Sequence, residues 1–172
     1  MKNKRIALTL LLIGLTVMLI PFISYAKAME DPGIPVVIRA RGIAIDNAEE
    51  GELVLMPVHL ALRCLLFRPT KIGDFTIAPL AIRGGVLEIH ETKYNITQGR
   101  GALVLERHEI MLGANGTGPS GERISLRLVG KWIKLPDETI FLMRMNGAVK
   151  FEDNGRVLLL LRAIAFRKLL PQ

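Results

Sequence analysis

Beyond residue 35 the chain reads as apolar runs cut by short polar punctuation. Residues 36–46, "VVIRARGIAID", are the first run of strand-type residues. "NAEEG" is a polar turn, and residues 52–67, "ELVLMPVHLALRCLLF", follow. Pro57 lacks an N–H and marks a break or an edge position in that run. "RPTKIGD" leads to a strand over 75–83. Gly84-Gly85 is a hairpin-type dipeptide before 86–94. "TQGRG" precedes 102–112, and "GANGTGPSG" is the longest expected loop. Three strands complete the series, over 122–135, 139–152 and 156–167. The last two are joined by Asp153-Asn154-Gly155, a type I′ hairpin signal. In that final run, large Leu160, Arg162, Ile164 and Phe166 alternate with small Ala163 and Ala165, which favours a strand over a helix.

No segment of this part has helical periodicity. The prediction is therefore all-β: one domain over 36–168 with eight or nine mostly antiparallel strands. Arg-x-x-Gly recurs inside three strands, at Arg39–Gly42, Arg127–Gly130 and Arg144–Gly147, with Arg162–Ala165 as a near-copy. Small residues in mid-strand curve a sheet. This favours a closed or nearly closed β-barrel over a flat sandwich. Alternation places each Arg and its Gly on opposite faces.

The first 28 residues differ from the rest. Lys2, Lys4 and Arg5 precede an apolar core, Pro21 ends it, and Ala26-Lys27-Ala28 fits a signal-peptidase site. The core of 15 residues is short for a bilayer span of roughly 20. It predicts a signal peptide cleaved after Ala28, the alternative being a hydrophobic helix over 6–23 retained as a membrane anchor. Both export the remainder, through a linker over 29–35, to an extracellular or cell-surface location. The leader holds four of the 23 Lys and Arg and none of the 16 acidic residues, so the charge falls from +7 to +3 without it. A dispersed excess with few aromatics does not suit nucleic-acid binding. Cys64 is the single cysteine, so no internal disulfide forms, and its apolar surroundings predict a buried thiol.

Candidate chemistry is sparse. A hairpin centred on Gly99 would set His90 opposite His108, with Glu88 flanking, close enough to share zinc or copper. A third ligand would come from Glu88 or His59. Met143 and Met145, with Met56 and Met111, are a second candidate set, for Cu(I), against plain core filling. Asn95-Ile96-Thr97 and Asn115-Gly116-Thr117 are glycosylation acceptor triplets. Ser120 and Ser125 sit in no nucleophile elbow, and the glycine-rich loop lacks the Lys and helix of a phosphate loop. No catalytic residue and no resident cofactor is assigned. Several strands are apolar on both faces, as in "ELVLM" and "VLLLL". A domain of this size leaves such faces uncovered unless a partner or ligand meets them. The sequence thus points to an exported, non-enzymatic binding or assembly module, self-associating or bound to a cell-surface protein. The first alternative is a carrier with a hydrophobic ligand in the barrel lumen, and the second is a metal-binding protein or metalloenzyme using His90 and His108.

Overall fold

The computed structural model describes residues 33–47, 53–135, 140–153 and 155–167. The expected signal peptide or anchor helix, most of the expected linker, the polar stretches 48–52 and 136–139, and Asn154 of the expected hairpin turn lie outside the described residues. The strands are β1 (Ile34–Asn47), β2 (Leu53–Leu66), β3 (Thr70–Ile72), β4 (Phe75–Ile89), β5 (Thr92–Val104), β6 (Glu109–Thr117), β7 (Arg123–Lys134), β8 (Ile140–Phe151) and β9 (Arg156–Arg167). Every pairing is antiparallel. The order β2-β1-β9-β8-β7-β6-β5-β4 closes through β2 and β4 into an eight-stranded barrel, and β3 is a short flap on β4. The expected all-β barrel is what forms.

Alternation decides which residues enter the core. In β9, Val157, Leu159, Leu161, Ala163 and Ala165 are buried, and the residues between them are exposed. The inward side chains of all eight barrel strands form one apolar cluster that includes Ile38, Leu62, Leu87, Ile96, Leu126 and Leu159. Tyr94 on β5 and Phe151 on β8 stand three strands apart around the barrel, yet their rings meet at 5.5 Å. The interior is thus filled by side chains from opposite walls, as small barrels are. A hydrophobic ligand held in the lumen would compete with that packing.

The recurring glycines have a physical role. A Cβ on Gly42 would lie 1.9 Å from the carbonyl oxygen of Leu160. At Gly130 it would lie 2.1 Å from the Arg144 oxygen, and at Gly147 1.9 Å from the Arg127 oxygen. The Arg-x-x-Gly segments of β7 and β8 therefore interlock, the Arg carbonyl of each touching the glycine of the other. Close backbone approach permits the curvature that closes the sheet.

Other glycines correct the expected strand boundaries. Gly84-Gly85 is no hairpin, because β4 runs through it. The register passes from Arg63↔Gly84 to Cys64↔Ile82, skipping Arg83, and Gly84 has φ +134°. The dipeptide forms a β-bulge. Gly99 is no turn either. It pairs with Ile82 on one side and Ala114 on the other, inside a continuous β5. The expected loop at 113–121 is half strand, since Gly113 to Thr117 belong to β6. Pro57 behaves as expected of an edge residue: β2 pairs with β4 only from Val58 onward, and the Pro57 carbonyl accepts the His90 N–H at 2.8 Å.

Cys64 is buried, and desolvation pushes its thiol pKa up to about 12. At pH 8 the thiolate fraction is then about a thousandfold lower than for a free thiol. The folded protein should react with a disulfide reagent only as fast as it unfolds, and immediately in denaturant. Rapid native labelling would contradict the burial. The sign of the pH effect follows. The folded state holds this proton more tightly, so the contribution to stability is complete below about pH 9 and declines as pH rises toward about 12.

Candidate functional site

Strand register builds a feature on the outside of the barrel. Arg41 on β1 pairs with Arg162 on β9, Arg162 with Arg144 on β8, and Arg144 with Lys131 on β7. Alternation turns all four side chains outward, where they are exposed. They form one cationic row across four adjacent strands spaced about 4.8 Å apart. Both ends of the row are acidic. Glu109 on β6 pairs with Lys131 and meets its Nζ at 2.8 Å, which holds the Glu109 carboxyl below its ordinary range. At the other end, His59 on β2 pairs with Arg41, and Glu88 on β4 pairs with His59. Among the described residues, Arg41, Arg144 and Arg162 have no carboxylate within ion-pairing distance.

The rows on either side are mostly apolar. Two residues along each strand lie Val86, Ala61, Arg39, Ile164, Leu142 and Ile133, joined in the same cross-strand manner. Ile164, Leu142 and Ile133 are 42%, 37% and 59% exposed. On the far side are Ile43, Leu160, Asn146, Val129 and Met111. Between the cationic row and the first apolar row runs a groove of about 950 Å³. Its floor is the intervening layer of Leu60, Ala40, Ala163, Met143 and Trp132, whose side chains point into the barrel. One wall is cationic. The other presents hydrocarbon except at Arg39, whose guanidinium lies 5.8 Å from the centroid of the Phe166 ring.

The predicted metal pair is not brought together. The two histidines occupy different turns: His90 lies between β4 and β5, His108 between β5 and β6. Those turns cap opposite ends of the 13-residue β5, of the order of 40 Å apart. Both residues have positive φ, 56° and 53°, a conformation that histidine adopts more readily than most non-glycine residues. His108 is tied elsewhere. Its ring lies 4.9 Å from that of Trp132, and its carbonyl accepts the Trp132 N–H at 2.9 Å. Glu88 stands beside His59 rather than beside a histidine pair. Among the described residues no three His, Cys, Asp or Glu side chains are grouped to hold a metal. The methionines are divided too. Met143 and Met145 fill the core, Met56 packs against it, and Met111 faces outward.

The two acceptor triplets lie side by side on β5 and β6. Asn95 pairs with Thr117, and Thr97 Oγ1 donates to the Asn115 carbonyl at 3.2 Å. Both asparagines are exposed. Asn115 adjoins a second, polar groove with Thr97, Ser125 and Lys150.

No family model and no curated protein matches this chain. Among solved structures it is similar to "Structure of DynF from the Dynemicin Biosynthesis Pathway of Micromonospora chersina", with a TM-score of 0.46 and 10% identity over 82% of this chain and 83% of that one.

The sequence contained Arg144 and Arg162 within the Arg-x-x-Gly recurrence, but it did not show that they stand in one row with Arg41 and Lys131. Shared parity could have placed all four on the outer face, but only the cross-strand register aligns them. Each of these residues flanks a buried neighbour on the strand: Ala40, Ala163, Met143 or Trp132.

Proposed function

We propose that this protein is an exported, non-enzymatic binding module whose working surface is the outer groove across β1, β9, β8 and β7. Its partner is anionic. The observation that carries this reading is the register Arg41↔Arg162↔Arg144. Like charges directly opposed in a sheet destabilise it by an amount of the order of a few tenths of a kcal/mol per pair. Three guanidiniums in adjacent register, with no carboxylate at ion-pairing distance among the described residues, therefore gain nothing for folding from their charges. An anion laid across them would convert the repulsion into two or three charge-assisted hydrogen bonds. Export is supported by the basic, apolar and small-x-small order of residues 1–28. A second copy packed by the same face would set arginine rows against each other, which disfavours simple face-to-face pairing. Among the described residues, closure pairs each long strand on both sides over most of its length, whereas β3 and the Leu53–Pro57 end of β2 pair on one side only.

Isothermal titration of residues 29–172 with inorganic tripolyphosphate tests the reading. All the described strands lie within that span and pair only with one another, so it carries the whole barrel. Binding should weaken steeply with salt. It should fall at least tenfold in the triple variant Arg41→Gln, Arg144→Gln, Arg162→Gln, which should itself be slightly more stable than the parent at low salt. Equal binding by parent and variant would overturn the assignment.

A further inference from the structure

We infer that the groove takes a single-chain anionic amphiphile, its charged head on the arginine row and its hydrocarbon chain along the groove. This rests on the binding reading above and names the chemistry of the partner. Three features of the groove lead to it.

The first is its cross-section. The cationic and apolar walls stand two residues apart on each strand, about 7 Å. An α-helix, about 10 Å across, does not seat between them. An extended chain does. The second is its length. The groove is lined from Glu88 and Val86 on β4 to Lys131 and Ile133 on β7, six adjacent strands, or about 24 Å. That is long for a compact anion and suits a chain. The third is the hydrogen-bonding character of the floor. It is the outer surface of a fully paired sheet, so its backbone N–H and C=O groups are engaged in the ladders. An extended acidic peptide pressed against Ile164, Leu142 and Ile133 would bury its own amides there without partners, at a cost of roughly 1–3 kcal/mol for each group. A hydrocarbon chain has no such groups to satisfy. The acidic ends of the row, Glu88 and Glu109, would confine the anionic head to the central arginines.

The discriminating probes are dodecyl phosphate below its micellar concentration, butyl phosphate, dodecyl maltoside and a soluble poly-glutamate peptide, each titrated into residues 29–172. Dodecyl phosphate should bind at least tenfold more tightly than either of the two probes that share only its head or only its chain, and more tightly than the peptide. Two exposed substitutions, Leu142→Ser with Ile164→Ser, should remove the preference for dodecyl over butyl phosphate. Arg41→Gln with Arg162→Gln should remove the preference for phosphate over maltoside. Equal binding of dodecyl and butyl phosphate, with tripolyphosphate still arginine-dependent, would overturn the amphiphile and keep the anionic groove. Tighter binding of poly-glutamate would also overturn it, in favour of an acidic protein segment. Failure of tripolyphosphate and dodecyl phosphate alike would overturn both readings. Circular dichroism of the surface variants, unchanged from the parent, guards against a folding artefact.

Discussion

Replacing Gly147 by valine is expected to destabilise the barrel by more than about 4 kcal/mol, enough to unfold most small domains. A Cβ at that position would lie 1.9 Å from the Arg127 oxygen, 2.8 Å from its carbonyl carbon and 2.9 Å from Leu128 Cα. All three are backbone atoms of the neighbouring strand, so no side chain can swing aside. β7 and β8 would have to separate at the centre of a ladder that runs from Ile124↔Phe151 to Lys134↔Phe141. The curvature that closes the sheet depends on the same approach at Gly42 and Gly130. Gly113 supplies the control. The nearest atom to its added Cβ is 3.9 Å away, so Gly113→Ala should be neutral or stabilising by up to about 1 kcal/mol. Urea unfolding followed by far-ultraviolet circular dichroism measures both. A Gly147→Val protein within 1 kcal/mol of the parent, on the order of a routine surface change, would contradict the close approach of β7 and β8.

The second large effect separates two neighbouring leucines. Leu159 is 0% exposed at the centre of the core, and Leu160 is 48% exposed on the outer face. Leu159→Ala should cost about 2–5 kcal/mol, because the removed methyl groups leave a cavity walled by other strands. Leu160→Ala should cost less than about 0.5 kcal/mol. The same urea curves decide it, with the slope unchanged for a clean comparison. A Leu160 cost as large as that of Leu159 would mean the outer face is itself buried, as in a tight oligomer, and would remove the free groove from the account.

The contrast between these leucines also shows what was legible in the chain. Alternation of the kind in "VLLLLRAIAF" marked strand faces directly, and the series over 34–47, 53–66, 123–134, 140–151 and 156–167 was expected to within a few residues. Barrel closure was legible because mid-strand glycines have one dominant mechanical use. The middle of the chain was harder for the same reason reversed. Glycine serves turns and close approaches equally well, and only long-range pairing tells them apart. Gly84-Gly85 and Gly99 were therefore expected as turns, where they are a bulge and a packed strand position. The true turns, His90-Glu91 and Leu105–His108, carry no glycine, proline or asparagine to announce them. The β5–β6 turn is held instead by the His108 N–H to Leu105 carbonyl bond and by Glu106, whose carboxylate accepts the Thr76 N–H. With the turn misplaced, the His90–His108 pairing followed. The arginine row was illegible for a different reason. It joins four strands from distant parts of the sequence, and register across four strands is a property of the closed barrel rather than of any window.

The central claim is that the working surface lies on the outside of the barrel and not in its lumen. Its most direct test is a heteronuclear NMR titration of ¹⁵N, methyl-labelled residues 29–172 with dodecyl phosphate below its micellar concentration. Shifts are expected in the guanidinium signals of Arg41, Arg144 and Arg162 and in the methyls of Leu142 and Ile164, while the inward methyls of Leu62, Leu126, Leu128 and Leu159 stay in place. Shifts concentrated in the inward methyls, with the arginines silent, would contradict the claim and return the ligand to the lumen.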